Sequence, residues 1–429
     1  MKISKLNIDQ FRHLENLDFD FTYQSGERKG QPLDKICFIG QSATGKTGLL
    51  ELIYEYNLNI LNLEVINGRH LTGSRNGIKL VKGEIEFLIN ESSFTQKNEE
   101  VFYKNRNYKY ENGGGSVENL ISIQDKNDVF YFKSNLISDI NIDLFAKNPI
   151  DLIEKHSADL QHIEDEFKHK ESYGVLFNDI VNDKIWLYLL NDILNYRKNF
   201  TQKMSELIHK GLLANAKKLD SEFQKWQKDN PNVLELFAKE FNPILEKLNL
   251  EVDLVNTEYS IPIKNKRIDE IIPIQNTSTG TKGLLLSFLP IYKLDTKDSI
   301  ILIDEPERSL YPDMQMDLMD HYQRLAPDAQ FIVATHSPFI AASFEPDERF
   351  ILYFDEEGKV AVRRGSSPIG DDPNDMLYND FGINYINKFG QAKYNEYLDL
   401  KQKIYFEKDD NIKKEYAEKL EKIGDEYNF

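Results

Sequence analysis

The run Gly40-Gln41-Ser42-Ala43-Thr44-Gly45-Lys46-Thr47 has the form G-x-x-x-x-G-K-T, a spacing that lets backbone N–H groups turn inward around a polyphosphate. Lys46 can then reach the terminal phosphates, and Thr47 can offer its hydroxyl to Mg²⁺. An apolar strand, residues 36–39, leads in, and Gly48 opens an apolar helix. The loop therefore ends at a helix N-terminus, where negative charge is favoured.

Three more groups carry chemistry. Residues 300–303 read as a strand buried on both faces, and it ends in Asp304-Glu305. Asp304 is expected to hold Mg²⁺ through water together with Thr47, which leaves Glu305 to polarise the attacking water as general base. A second buried strand, 330–334, runs out to His336, expected at the same sheet edge within reach of a γ-phosphate. One helix, about 314–325, fits between the two strands and makes a right-handed crossover. Finally, Ser278-x-Gly280 precedes the apolar helix 284–292. Such a helix start suits an anion, although Thr277, Ser278 or Thr279 could equally serve as a plain N-cap.

The elements that must position these groups divide the chain. Residues 1–150 carry strand patterns at 2–6, 17–21, 34–39, 82–89 and 129–132, a turn at Phe11-Arg12-His13 and a hairpin tip or loop at 113–115. Apart from the loop-feeding strand, they suggest a β-rich side sheet beside the first part of a nucleotide-binding core. Residues 151–250 show apolar positions three and four apart and read as an all-helical insertion, either a compact lobe or a short coiled-coil arm. Residues 251–369 resume the α/β core, and 370–429 read as a charged helical extension. Within it, Gly370 to Asp375 is acidic enough for a metal site or, more simply, for a helix-capping loop.

The 429 residues include 71 acidic and 53 basic side chains, a net charge of −18, and one cysteine, Cys37. That balance disfavours a surface coated for DNA, and a lone cysteine excludes a disulfide framework or a cysteine-based metal site. No apolar run is long enough for a membrane span and no signal peptide is evident, so a soluble, cytoplasmic protein with no membrane partner is expected.

Taken together these motifs resemble the ATP-binding-cassette ATPases of the SMC/RecF/OLD branch, which includes the ATPases of bacterial anti-phage systems of Septu, retron-associated and PARIS type. Residues 5–12 resemble that branch's opening strand and Phe-Arg turn, which implies Arg12 among the nucleotide-binding residues. Residues 40–47 match its Walker A motif, 278–282 stand where its signature stands, Asp304-Glu305 is its Walker B, 307–312 resemble its D-loop and 335–338 its H-loop. The signature differs in having Thr279 where Gly is common and Thr281-Lys282 where Gln or Glu is common. For the Q-loop, Gln124 and Asn135 are the nearby candidates, and neither is assigned.

The resemblance implies an α/β fold: a P-loop ATPase core with an antiparallel β side sheet and an inserted helical lobe or short arm. It implies ATP and Mg²⁺ as cofactors, catalysis by Lys46, Glu305 and His336, and a homodimer or higher oligomer closing head to tail on ATP. In that dimer Ser278 and Gly280 of one copy would face the nucleotide of the other. With no nuclease pattern in the chain, the expectation is a regulatory ATPase of an anti-phage system that controls a separate effector, nuclease or toxin, and senses DNA or a phage component. The alternatives are a DNA-repair ATPase and a scaffold that locks on ATP with negligible turnover.

Overall fold

The computed structural model describes residues 1–72, 82–110, 115–122, 127–160, 162, 173–370, 373–383, 386 and 390–427. Gln124, and Asp371 and Asp372 of the acidic stretch at 370–375, lie outside the described residues. The chain forms two units, Met1–Gly370 and Asp371–Phe429. The second consists of the helices Pro373–Asn379, Gln391–Phe406 and Asp410–Tyr427, the last two packed as a hairpin.

In the first unit, a seven-stranded sheet runs in the order Gly174–Phe177, Val129–Phe132, Ile300–Asp304, Gln330–Ala334, Lys35–Gly40, Arg349–Phe354, Val360–Arg364. All neighbours are parallel except the last pair. Lys35–Gly40, Ile300–Asp304 and Gln330–Ala334 are buried throughout, as continuous apolar runs in a parallel sheet require. The register aligns Asp304 with Ala334 and Ala334 with Phe38, so the polar groups that follow each strand emerge at one edge.

A nine-stranded side sheet begins with Lys2–Phe11 and Leu14–Asp20 and is antiparallel except where His70–Thr72 meets Arg106–Tyr110. One apolar core joins this sheet, the helix Lys46–Leu61 and one face of the parallel sheet through residues such as Leu6, Phe19, Phe38, Leu50, Ile53 and Leu302. Phe19 and Phe38 meet edge to face at 5.7 Å, and Phe21 and Phe350 at 5.1 Å. Edge contacts of this kind pin one sheet over the other.

Three readings are corrected. Val129–Phe132 belongs to the parallel core, beside Ile300–Asp304, rather than to the side sheet. The stretch 151–250 is not all helical, because Gly174–Phe177 is a strand added parallel to Val129–Phe132. The crossover between 304 and 330 is two helices, Pro312–Met316 and Leu318–Leu325, with a break at Asp317. Within 151–250 the long helices are Asp183–His209, Ala216–Asp229 and Val233–Leu245, each capped by an asparagine side chain, Asn182, Asn215 and Asn232. Phe237 and Phe241 of the third pack on Phe288 of the helix Thr279–Lys293, with rings 6.2 and 4.8 Å apart.

Candidate functional site

The loop after Lys35–Gly40 is built from backbone conformations that few side chains permit. Gly40, Ala43 and Gly45 have φ of 145°, 67° and 92°, and a Cβ at Gly40 would come within 2.0 Å of the Leu352 carbonyl oxygen. A Cβ at Gly45 would lie 2.9 Å from the Leu14 side chain and 3.1 Å from His13 Nε2. Only glycine combines this geometry with this packing. The Thr44 hydroxyl, fully buried, donates to the Gln41 carbonyl at 2.8 Å and so holds the loop rather than a ligand.

Lys46 Nζ donates to the Gly40 and Gln41 carbonyls at 2.9 and 3.0 Å. Burial lowers its pKa to about 8, against the pull of Asp304, Glu305 and Glu307. Thr47 Oγ1 donates to Asp304 at 3.1 Å from either carboxylate oxygen. Burial raises the Asp304 carboxyl to about 6; the Thr47 hydrogen bond opposes this, while Glu305 and Glu307 add to it. A hydroxyl and a buried carboxylate facing each other beside a phosphate loop are the oxygen donors that Mg²⁺ takes from protein when substrate phosphates supply others. The donor set fits that ion. Among the described residues no cluster of three His, Cys, Asp or Glu side chains could hold a metal by itself.

Glu305 takes φ 52°, unusual for a side chain of its size, and its N–H donates to the Ala334 carbonyl at 2.8 Å. The His336 N–H donates to Glu307 Oε1 at 2.8 Å. Burial, and then the Lys46 cation, lower the His336 pKa, which favours a neutral imidazole near pH 7. Lys46, Thr47, Asp304, Glu305 and His336 line one cleft of about 440 Å³, together with Ala43, Gly45 and Gly48.

The other expected residues lie elsewhere. Gly40, Gln41, Ser42 and Thr44 shape the loop without lining the cleft. Arg12 pairs with Glu51 at 3.0 Å, a carboxylate that Lys133 also holds at 3.0 Å, and it sits beside Gly48. Ser278 caps the helix Thr279–Lys293: its Oγ accepts from the Thr281 N–H at 3.1 Å and pairs with Thr281 Oγ1 at 2.9 Å. Gly280 packs on the D-loop region, where a Cβ would stand 2.5 Å from the Ser309 carbonyl oxygen. Neither lines the cleft that holds Lys46.

Three residues had no expected role at the site. His13 lines the cleft, one position past Arg12 in the same turn. The Ser134 side chain hydrogen-bonds Asp304, and Arg308 donates to the Ser134 carbonyl. Parallel pairing of Val129–Phe132 with Ile300–Asp304 would have pointed to it. Glu307 is the third, a carboxyl tied directly to the His336 turn.

A phosphate loop between a central parallel strand and its helix, with an acidic strand end beside it, defines a P-loop nucleotide-binding protein. Residues 1–341 match the AAA ATPase domain family, and the chain belongs to that family. Over 155 residues it is 25% identical to an uncharacterised protein of Methanocaldococcus jannaschii, covering 32% of this chain and 39% of that one. Over 72 residues it is 33% identical to the Septu protein PtuA of Bacillus thuringiensis, covering 17% of this chain and 18% of the relative. The matched stretches thus span well under half the length of these curated relatives. Among solved structures, the Smc head bound to the C-winged helix domain of ScpA overlaps 85% of this chain and 98% of its own, at 14% identity and TM-score 0.42. The SMC head domain from Thermotoga maritima overlaps 86% and 100%, at 14% identity and TM-score 0.40.

Proposed function

We propose that this chain is a Mg²⁺-dependent ATP hydrolase whose copies close head to tail on ATP, and that it is the regulatory ATPase of an anti-phage defence system. The observation that carries the hydrolase is the single cleft lined by Lys46, Thr47, Asp304, Glu305 and His336. In this reading Lys46 exchanges its bonds to the loop carbonyls for the terminal phosphates, while Thr47 and Asp304 hold the metal. Mg²⁺, when bound, offsets the negative charge of the phosphates. Glu305, in the lining of the same cleft, takes the proton of the attacking water. A neutral His336 can accept or donate a hydrogen bond at the γ-phosphate end without adding a charge. Ser278 and Gly280 do not line the cleft that holds Lys46, which supports a composite site completed by a second copy.

The defence role draws on the family match and on the stretch shared with the Septu protein PtuA. Its partner is a separately encoded effector, nuclease or toxin, held or released by the ATP cycle. No helix among the described residues is long and apolar enough to cross a membrane. The test measures Mg²⁺-dependent ATP turnover with and without duplex DNA, and co-purification with proteins encoded beside its gene. Turnover independent of DNA and nucleotide-dependent release of a neighbouring effector support the reading. Strong, salt-sensitive stimulation by DNA favours a repair ATPase instead.

A further inference from the structure

Glu307 has no task in the mechanism above, yet it is built into the site. Its Oε1 accepts the His336 N–H at 2.8 Å, while its Oε2 is buried without a hydrogen-bond partner. Two other backbone bonds frame it: Glu305 N–H to the Ala334 carbonyl at 2.8 Å, and Arg308 N–H to the Glu305 carbonyl at 3.1 Å. The turn carrying Glu305 and the turn carrying His336 are therefore joined at the backbone by Ala334 and through the Glu307 side chain, while Gln315, which accepts from the Ser337 hydroxyl and donates to the Leu310 carbonyl, links the segments just beyond them. A third acid placed under Asp304 and Glu305 is electrostatically unfavourable, and burial raises its pKa while the His336 and Thr335 bonds lower it. Such a group stays only where its hydrogen bond matters.

We propose that Glu307 is a positioning residue for hydrolysis: by accepting the His336 N–H it fixes the His336 turn against the Glu305 turn. The imidazole and the base carboxylate then keep a constant spacing across the cleft. This rests on the ATPase reading given above. It differs from a structural role because the tie acts through one other residue, and that dependence is measurable.

The experiment compares E307Q, E307A and E307D, each alone and combined with H336A, by steady-state ATP turnover, affinity for a fluorescent ATP analogue and thermal melting of the full chain. E307Q keeps an acceptor oxygen and is expected to turn over within about threefold of the unmutated chain. E307A is expected to lower kcat by about 10- to 100-fold with ATP affinity changed by less than about twofold, since a small misplacement costs rate and not binding. In the H336A background E307A should add less than about twofold, because its effect passes through His336. E307D, which withdraws the carboxylate by one methylene, gives the same reading should alanine fail to fold. Multiplying effects of E307A and H336A, or E307Q as slow as E307A, overturn the proposal. An unmutated chain that binds the ATP analogue and shows no turnover defeats the ATPase reading first, and this inference with it.

Discussion

Thr47 Oγ1 stands 3.1 Å from both oxygens of Asp304, across 257 residues of sequence. The hydroxyl belongs to the first turn of the loop helix, and the carboxylate ends the core strand Ile300–Asp304, which is separated from the loop-feeding strand by Gln330–Ala334, so the pair joins two separate parts of the cleft lining. If the two share a Mg²⁺ ion, removing either donor weakens metal-dependent binding alone. T47A and D304N are each expected to reduce nucleotide affinity in Mg²⁺ by about 10- to 100-fold and to leave affinity in EDTA unchanged. Titration of a fluorescent ATP analogue in the two buffers measures this. Equal losses in both buffers would point to a damaged loop instead.

Glu305 lines the cleft while its own N–H is held by Ala334, so the side chain can be changed with little effect on the sheet. E305Q should bind ATP normally and lose turnover by about 100-fold or more. With hydrolysis blocked, ATP-bound dimers should accumulate, visible by light scattering on a sizing column as a doubling of mass with ATP and not with ADP. Unchanged turnover in E305Q removes Glu305 from the base role.

Ser278 caps the helix Thr279–Lys293, and the proposed dimer would give it a second duty that one substitution separates from the first. As an N-cap it is replaced almost equivalently by Asp, whereas Ala costs about 1 kcal/mol. S278D should therefore melt near the unmutated chain and bind ATP as a monomer with normal affinity. Set against a partner's triphosphate, the added carboxylate should abolish ATP-dependent dimers and lower turnover about 10-fold or more. Dimers that form normally in S278D would leave Ser278 as a helix cap only.

The phosphate loop and the two strand ends were legible because each joins a local motif to a long buried run, and such runs have few other readings. The registers Asp304 to Ala334 and Ala334 to Phe38 then follow from parallel packing. Strand order was not legible at one margin. Val129–Phe132 and Gly174–Phe177 are four residues each, and what assigns them to the core is pairing with partners far along the chain. Glu307 and His13 escaped for another reason. A polar residue in a turn has the same local signature whether it faces solvent or a cleft, and only the backbone that folds over it tells the two apart.

Lys46 offers a test of the cleft in its free state. Burial brings its pKa down to about 8, so between about pH 8 and the usual lysine value of about 10.4 the folded chain carries fewer protons there than the unfolded chain. Two consequences of opposite sign follow. Stability from this residue rises with pH across that window, because the buried cation is what costs. Nucleotide affinity falls across it, because the phosphates need the cation and must recover the proton. Binding an ATP analogue at pH 8.5 should therefore take up protons, seen as an enthalpy that changes with the ionisation heat of the buffer, and the uptake should shrink by pH 7. K46M, with no charge to recover, should abolish that component along with most of the affinity. Equal proton uptake in K46M and the unmutated chain would move the titration to another group and leave Lys46 a fixed cation in the cleft.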